Sequence, residues 1–222
     1  MKTYFIVVAG GKGIRMGSEL PKQFLPIGGT PLIIRTIENI RKAVPDAEII
    51  LVLGDSAKEQ WKDIAQNTAF ADLVVANGGS SRTESVKSGL ALVTEDSMVA
   101  IHDAVRPFAS VDCIKSTLNA AMEHGAAIPV VPMTESIRLK KGALSTAVDR
   151  DNYCIVQTPQ CFRSEIVMSA YEQLSNSHSD DASVVEASGV KIALTQGNEE
   201  NIKITTQKDL WIAESILKMQ KE

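Results

Sequence analysis

The first apolar run of the chain is followed at once by a glycine-rich loop, and this pairing constrains the fold more than any other feature. Residues 4–8 are apolar without alternation, which is typical of a strand buried on both faces of a parallel sheet. Gly10, Gly11 and Gly13 come directly after it. Glycines let backbone N–H groups approach an anion closely, and open α/β sheets bind ligands at the carboxyl ends of their strands. We therefore expect an α/β protein with an anion site after its first strand.

Further apolar runs alternate with helical patterns along the chain. The other strand candidates are residues 48–53, 73–75, 98–101 and 127–131. Thr30 before Pro31 is expected to cap a helix, and Ser56 and Ser81 each stand three residues before a glutamate, the spacing of a capping box. This alternation predicts a mostly parallel sheet flanked by helices and joined by right-handed crossovers.

One segment departs from the alternation. Residues 136–139 and 144–148 have the pattern of two strands around a turn, and they carry little that could be buried. We expect a β-arm at about 136–150 that protrudes from the sheet and joins two copies of the chain in a homodimer. A surface hairpin on a monomer stays open as the alternative. With no internal repeat and no linker, residues 1–222 are expected to form a single domain.

Charge and composition argue against several classes of function. Lys and Arg number 23 against 27 Asp and Glu, a net charge of −4, so no basic excess is available to hold nucleic acid. The three cysteines are widely spaced and form neither a zinc nor a disulfide pattern, which fits a reducing compartment. No apolar run approaches the roughly 18 residues that a membrane-spanning helix needs. We expect a cytoplasmic protein that binds neither nucleic acid nor membrane.

The glycine loop does not match the two most familiar phosphate-binding motifs. Met16 stands where G-x-G-x-x-G needs its third glycine, and the loop has no Gly-Lys-Ser/Thr sequence. A nicotinamide-dependent oxidoreductase and a P-loop ATPase are therefore disfavoured. The loop instead brings two cations, Arg15 and Lys22, whose side chains suit phosphate oxygens. We interpret it as a phosphate site, with a solvated turn as the alternative.

The same loop carries a family resemblance. Residues 9–16, with Pro21, Lys22 and Gln23, resemble the signature loop of nucleotidyltransferases that make nucleotide-activated sugars and sugar alcohols. The match extends through several motifs over essentially the whole chain and is closest to the 2-C-methyl-D-erythritol 4-phosphate cytidylyltransferases. The resemblance implies a Rossmann-like sheet of the nucleotide-diphospho-sugar transferase type. It also implies an enzyme that converts CTP and the polyol phosphate to 4-diphosphocytidyl-2-C-methyl-D-erythritol and pyrophosphate in non-mevalonate isoprenoid biosynthesis.

The resemblance assigns two segments to the nucleotide. The expected CTP contacts are Ala9, Gly10, Gly11, Gly13, Gly79, Ser80, Arg82 and Ser85. The second segment also has a purely structural interpretation as the capped start of a helix. A shallow pocket of backbone groups and small hydroxyls suits a pyrimidine, because a purine is larger.

The second substrate has its own set of expected contacts. They are Asp103, Arg106, Ser136, Thr158 and Ser179. Asp103 and Arg106 end the apolar run 98–101, and a simple ion pair between them is the alternative interpretation. Asp103 is also the expected neighbour of Mg²⁺ or another divalent cation, since hard cations prefer oxygen ligands. Ser179 belongs to a polar run, 179–183, that has an equally good interpretation as a helix start.

Four cations are expected to manage the charge of the reaction: Arg15, Lys22, Arg150 and Lys203. The attacking atom is a phosphate oxygen that is already ionised, so no general base is expected, and catalysis rests on positioning and electrostatics. Arg15 and Lys22 are assigned to the α-phosphoryl group and the leaving pyrophosphate. Arg150, reaching from the neighbouring subunit, and Lys203, in a segment that resembles a late strand of the family, are assigned to the incoming phosphate.

Two alternatives to this function stay open. Glu135 and Ser136 stand where the family pattern has Asp-Thr, which keeps a hydroxyl but loses a methyl group. Ribitol 5-phosphate is an alternative substrate, because Val105 and Phe108 also suit the cytidylyltransferases that use it, whereas Asp149-Arg150 and the run 180–183 favour methylerythritol phosphate. The alternative of another class is a non-catalytic nucleotide-binding or scaffold protein. The four cations argue against it, because a protein without chemistry to perform has no need of them all.

Overall fold

The computed structural model of the chain describes residues 1–9, 20–94, 96–173 and 178–220. Its strands are β1 (Lys2–Val8), β2 (Pro26–Ile27), β3 (Thr30–Pro31), β4 (Glu48–Leu53), β5 (Val74–Asn77), β6 (Ser97–Asp103), β7 (Ala126–Pro132), β8 (Arg138–Lys141), β9 (Leu144–Ala147), β10 (Cys154–Val156), β11 (Gln160–Arg163) and β12 (Ala193–Gln196). Its α-helices are α1 (Leu32–Ala43), α2 (Asp55–Ala65), α3 (Arg82–Leu90), α4 (Val111–His124), α5 (Ser164–Glu172), α6 (Asp181–Ala187) and α7 (Gln207–Met219). Two short 3₁₀ helices cover Lys22–Phe24 and Arg150–Asn152.

Eight of these strands form one mostly parallel sheet. From one edge the order is β12, β7, β11, β6, β1, β4 and β5, and β10 continues along the same side of β7 as β11. β1 pairs in parallel with both β4 and β6, while β11 runs antiparallel between β6 and β7. The α/β architecture that the sequence predicts is confirmed, and the carboxyl ends of β1, β4, β5 and β6 meet at one edge.

Helices cover both faces of the sheet. Side chains of β1 alternate between two apolar clusters, with Phe5 and Val7 on one face and Tyr4 and Ile6 on the other. Helices α1, α2 and α4 pack on the first face, and α3, α5 and α6 on the second. This explains why the central strands have apolar residues at successive positions, Tyr4–Val8 in β1, Ile49–Leu53 in β4 and Met98–Ile101 in β6. A third cluster joins α7 to the start of α1 and to the loop after β6, where it includes Val105.

Two of the expected helix caps are wrong. Thr30 is paired in the short strand β3, and Pro31 itself precedes α1 without a side-chain cap. Helix α2 begins at Asp55 after Gly54, one residue before Ser56. Ser81 does cap α3, since its hydroxyl accepts a hydrogen bond from the backbone N–H of Glu84. Of these three expected caps, the one at Ser81 is confirmed.

The hairpin of β8 and β9 stands away from the sheet. Its two strands pair with each other alone, turn at Gly142 with a φ of +61°, and expose every residue. The exposed residues include Leu139 and Leu144, at 55% and 78% exposure. The hairpin therefore presents two apolar side chains to solvent. Within the described ranges, no helix has the length and apolarity to cross a membrane.

Candidate active site

A cavity of about 520 Å³ opens at the carboxyl edge of the sheet. β1, β5 and β6 end beside it, so the loops that leave these strands surround one space. It is lined by Val8, Ala9, Lys22, Gln23, Gly79, Ser80, Ser81, Arg82, Ser85, Asp103, Val105 and Lys203. Every residue expected at the nucleotide that the structure describes is in this set. Gly10, Gly11, Gly13 and Arg15 lie outside the described residues.

A second cavity, of about 320 Å³, adjoins the first. It is lined by Arg82, Asp103, Arg106, Val156, Gln157, Thr158, Gln160, Ser179, Asp180 and Lys203. Four of the five residues expected at the second substrate line it, the exception being Ser136. The two cavities have Arg82, Asp103 and Lys203 in common. These three residues therefore stand where molecules in the two cavities would meet.

Three cations surround the carboxylate of Asp103. Lys203 Nζ lies 3.0 Å from Oδ2, Arg106 Nε lies 3.3 Å from the same oxygen, and Arg82 Nε lies 3.8 Å from Oδ1. Burial by itself would raise the pKa of Asp103, but Lys203, Arg82 and Arg106 outweigh it and lower that pKa well below its ordinary value. The carboxylate is therefore ionised at any pH at which an enzyme works. The ion pair and the pocket position, which the sequence offered as alternatives for Asp103 and Arg106, are both present.

Backbone contacts bring Lys203 to the site from far along the chain. Arg106 Nη1 donates to the carbonyl of Asn201 at 2.6 Å, and the N–H of Ile204 donates to the carbonyl of Val105 at 3.0 Å. Asn201 also donates from Nδ2 to the carbonyl of Thr158 at 2.9 Å. The segment 201–205 is not a strand, in contrast to what the resemblance implies, because it is tied to the loop after β6 by single bonds and not by a ladder.

Lys22 is held at the first cavity by its neighbour. The buried amide of Gln23 donates to the carbonyl of Ala9 at 3.0 Å, which ties the 3₁₀ turn Lys22–Phe24 to the end of β1. Phe24 is inserted in the core beneath. The position of Lys22 at the first cavity thus follows from the hydrogen bond of Gln23 and the burial of Phe24.

The loop before α3 is closed on itself by Glu84. The Oε2 of this residue accepts from the backbone N–H of Ser80 at 2.7 Å and from its hydroxyl at 2.6 Å. The N–H of Gly79 donates to the hydroxyl of Ser85 at 3.0 Å, and that hydroxyl donates to the carbonyl of Ser81. Gly79 is required here, because a Cβ at this position would overlap the Cβ of Glu84. A ligand in this cavity therefore meets Ser80 and Ser85 with their hydroxyl protons already engaged.

The protonation of His102 and the hydrogen-bond role of Thr158 can be deduced together. His102 Nε2 faces the carbonyl of Arg106 at 3.3 Å, which can only accept, so Nε2 carries the proton and Nδ1 accepts. Thr158 lies 2.8 Å from Nδ1 and therefore donates its proton to it. The same Thr158 oxygen accepts from the N–H of Asp103 at 3.2 Å. Burial lowers the pKa of His102 to about 4, which keeps the ring neutral.

An acidic residue that had no assigned role anchors Arg82. Asp181, at the start of α6, accepts from Arg82 Nη1 at 2.8 Å and from Nη2 at 2.7 Å, and from the hydroxyl of Tyr171 at 2.5 Å. Asp181 falls in the polar run that was noted from the sequence, but nothing in the spacing links it to a residue 99 positions earlier. His102 also supports the site, since Thr158 joins it to the backbone N–H of Asp103. The one signal for Asp181 in the sequence is its place in a polar run that predicts the start of a helix.

Two of the expected site residues lie away from both cavities in the described chain. Ser136 is exposed just before the hairpin. Arg150 is exposed just after it, where it donates from Nη1 to the carbonyl of Thr134 and lies 3.9 Å from Asp151. Their assignments to the substrate stay predictions.

Comparison with known proteins gives one consistent answer. Residues 3–219 match the model of the family described as 2-C-methyl-D-erythritol 4-phosphate cytidylyltransferase (IspD). A protein of that description from Bacteroides thetaiotaomicron is 47% identical over 98% of this chain and 100% of its own, and one from Porphyromonas gingivalis is 43% identical over 97% and 98%. Among solved structures, the Thermus thermophilus protein of that description has a TM-score of 0.81 at 30% identity, covering 98% of this chain and 100% of its own. The 4-diphosphocytidyl-2C-methyl-D-erythritol synthase of Anaerococcus prevotii has a TM-score of 0.86 at 27% identity, with 98% and 96% covered.

Proposed function

We propose that this chain, which belongs to the 2-C-methyl-D-erythritol 4-phosphate cytidylyltransferase family, transfers a cytidylyl group from CTP to 2-C-methyl-D-erythritol 4-phosphate in isoprenoid biosynthesis. The observation in the structure that carries the proposal is the pair of adjoining cavities that share a cationic cluster. The larger cavity suits the nucleotide and the smaller suits the polyol phosphate. A reaction that joins two anions needs cations where the two meet, and Arg82 and Lys203 lie at that junction.

The chemistry is a substitution at the α-phosphorus of CTP. An ionised oxygen of the polyol phosphate forms the new P–O bond, and the bond to the β-phosphate oxygen breaks, so that pyrophosphate leaves with the electron pair. No proton has to move, and the site accordingly needs no general base. Lys203 holds the incoming phosphate, and Lys22 faces the phosphates of the nucleotide, where negative charge collects. Arg15 is assigned to the same group.

Recognition of the nucleotide base falls to the segment 78–85. Glu84 occupies the N–H and O–H of Ser80, and the proton of Ser85 points to the carbonyl of Ser81. The hydroxyl oxygens of these serines are thus presented as acceptors, which suits an exocyclic amino group such as that of cytosine. The N–H groups of Gly78, Gly79 and Ser80 are already bonded within the protein, which leaves the backbone carbonyls of this turn for further contacts with the base.

Mg²⁺ fits this site together with the nucleotide. Among the described residues no group of three acidic, His or Cys side chains could hold a metal ion. Asp103 is the one described carboxylate that lines the nucleotide cavity, and its three cationic neighbours would repel a divalent ion that came without counter-charge. Asp103 would therefore hold Mg²⁺ that is bound to triphosphate oxygens, where the ion supplies neutralisation of the phosphate charge.

The exposed hairpin supports a homodimer. Leu139 and Leu144 project from β8 and β9 without a partner among the described residues of this chain, and Arg150 follows directly on the same arm. A second copy would cover these leucines and bring Arg150 to a neighbouring cavity, where it would hold the incoming phosphate. We also propose a cytoplasmic location, because all three cysteines are free thiols, as is usual in a reducing compartment.

Mixing two inactive variants tests the shared site. In a mixed dimer of Arg150→Ala and Lys203→Ala, one of the two sites keeps both cations only if Arg150 acts across the interface. After unfolding and refolding together, half of the dimers are mixed, so about a quarter of the wild-type activity returns. If no activity returns while the mixture is dimeric, Arg150 does not act in the partner's site.

A pyrophosphate-release assay tests the function itself. Four nucleoside triphosphates are crossed with 2-C-methyl-D-erythritol 4-phosphate, ribitol 5-phosphate and a sugar phosphate. We expect release with CTP and the methylerythritol phosphate. Faster release with ribitol 5-phosphate would change the substrate, and CTP binding without release from any pair would favour a non-catalytic protein.

A further inference from the structure

A buried hydrogen-bonded cluster stands behind the site and meets it at one residue. Asp181 accepts hydrogen bonds from both terminal nitrogens of Arg82, at 2.8 and 2.7 Å, and from the hydroxyl of Tyr171, at 2.5 Å. Asp181 is 0% exposed and lines neither cavity, whereas the Arg82 side chain is 31% exposed and lines both. Among the side-chain hydrogen bonds of Asp181 and Tyr171, those that reach a residue lining the cavities are the two with Arg82.

The contacts of Arg82 fix the orientation of its guanidinium plane. Asp181 accepts one hydrogen bond from each terminal nitrogen of Arg82, and Arg82 Nε lies 3.8 Å from Oδ1 of Asp103. Two carboxylates on different elements thus define the orientation of the group, and each terminal nitrogen keeps a second N–H. Those remaining N–H groups are what Arg82 can offer to phosphate oxygens in the two cavities.

The anchor is itself held on two sides. The side-chain amide of Gln160 donates to Asp180 at 2.9 Å and accepts from the N–H of Ala182 at 2.8 Å, which fastens the start of α6 to β11. Tyr171 is 3% exposed on α5. Burial and the neighbouring Asp181 raise the pKa of Tyr171 well above its ordinary value, so its hydroxyl is always a donor. Asp181 also outweighs the effect of burial on the pKa of Arg82, which stays charged.

We propose that Tyr171 and Asp181 are positioning residues that aim the Arg82 guanidinium at the junction of the two substrate cavities. Without Asp181, Arg82 would have Asp103 as its remaining carboxylate, which Lys203 and Arg106 already share. Without the Tyr171 hydroxyl, the Asp181 oxygen that it fixes could turn. The inference rests on the proposed function, since Arg82 is argued to contact the phosphates.

Tyr171→Phe is the informative variant, because it removes one hydroxyl and leaves the ring in the core. The matched control is Tyr4→Phe, which also removes a part-buried hydroxyl, bonded to Thr94 at 3.3 Å, on another element of the fold. We expect kcat/KM for pyrophosphate release to fall roughly tenfold in Tyr171→Phe, the scale of contacts that orient a ligating group. Tyr4→Phe should stay within about twofold of wild type at a similar melting temperature.

A double-mutant cycle separates positioning from a general structural effect. If Tyr171 acts through Arg82, Tyr171→Phe causes no further loss in an Arg82→Ala background. Losses that multiply, or a Tyr171→Phe enzyme as active as Tyr4→Phe, would overturn the inference. Calorimetry of CTP binding to the wild type, the two single variants Tyr171→Phe and Arg82→Ala, and the double variant repeats the cycle without turnover. Failure of the proposed function would instead appear as a wild-type protein that releases no pyrophosphate.

Discussion

Replacing Lys203 by alanine is the most direct test of the charge arrangement at the site. Lys203 Nζ lies 3.0 Å from Asp103, at the junction of the two cavities, with 41% of the side chain exposed. The change removes one cation from the place where two anionic substrates must meet. We expect a large loss of rate and a small loss of stability.

The loss of stability should be small because the pair is partly solvated. Exposed or half-exposed ion pairs contribute about 0–1 kcal/mol, and Asp103 keeps Arg82 and Arg106 as counter-ions. The melting temperature of a protein of this size would then fall by no more than about 4 °C. Loss of a charge aimed at the reacting phosphoryl group costs about 2.7–4 kcal/mol in the transition state, or roughly 10²–10³ in rate.

Initial-rate pyrophosphate release, with each substrate varied in turn, measures the first effect, and thermal unfolding measures the second. Lys208→Ala is the control, since Lys208 is exposed at the start of α7 and lines neither cavity. We expect kcat/KM for the polyol phosphate to fall roughly 10²–10³-fold in Lys203→Ala alone. Lys203→Arg should recover part of it, because the charge returns with a different shape.

Two results would refute the reasoning about Lys203. One is a Lys203→Ala enzyme whose kcat/KM for the polyol phosphate stays within about threefold of Lys208→Ala, which would mean that the cation does not face reacting groups. The other is a loss of activity that follows the loss of folded protein in thermal unfolding. In that case the ion pair with Asp103 would be structural, and the assignment of the cavity junction to the phosphates would be lost.

Two further predictions concern the supporting structure. Burial lowers the pKa of His102 from 6.5 to about 4. The contribution of the neutral ring to folding stability is therefore complete above pH 6.5. It is lost as the pH falls towards 4, because the unfolded chain binds a proton that the folded chain does not. Urea unfolding should show a loss of about 3 kcal/mol over that window, absent in His102→Gln; an unchanged pH dependence in the variant would contradict it. Gly79→Ala should raise the KM for CTP roughly tenfold or more, because the new Cβ would overlap Glu84 and displace the loop, whereas Gly54→Ala, with open space around it, should not. Equal KM values for these two variants would show that the loop does not contact the nucleotide.

The fold could be predicted because its strands are buried on both faces. Residues 4–8, 49–53 and 98–101 have no exposed side to carry polar residues, so each strand can be recognised from its own apolar run. The caps expected at Thr30 and Ser56 were wrong, because a capping pattern is local, whereas Thr30 is taken up by strand pairing and α2 already begins at Asp55. The short strands β10 and β12 were missed for the same reason, as their pairing with β7 defines them.

The site was predictable where residues end strands and unpredictable where residues are coupled through space. Asp103 and Gly79 follow apolar runs, so the edge at which they meet can be inferred. The contact of Arg82 with Asp181 joins residues 99 positions apart, and that of His102 with Thr158 joins residues 56 apart. No spacing rule encodes such pairs, since they depend on how α6 and β11 pack beside β6.

Two buried carboxylates in a site for anionic substrates weaken the attraction for phosphate, and their presence needs a physical reason. Lys203, Arg82 and Arg106 carry three positive charges, and Asp103 and Asp181 carry two negative ones, so the cluster keeps one net positive charge. Without the carboxylates the three cations would repel one another at close range and would spread towards solvent. With them, Arg82 and Arg106 are held in fixed directions, and substrates meet oriented N–H groups. A transfer that needs no proton movement depends on in-line alignment, so order among the cations is worth more to the rate than a higher net charge.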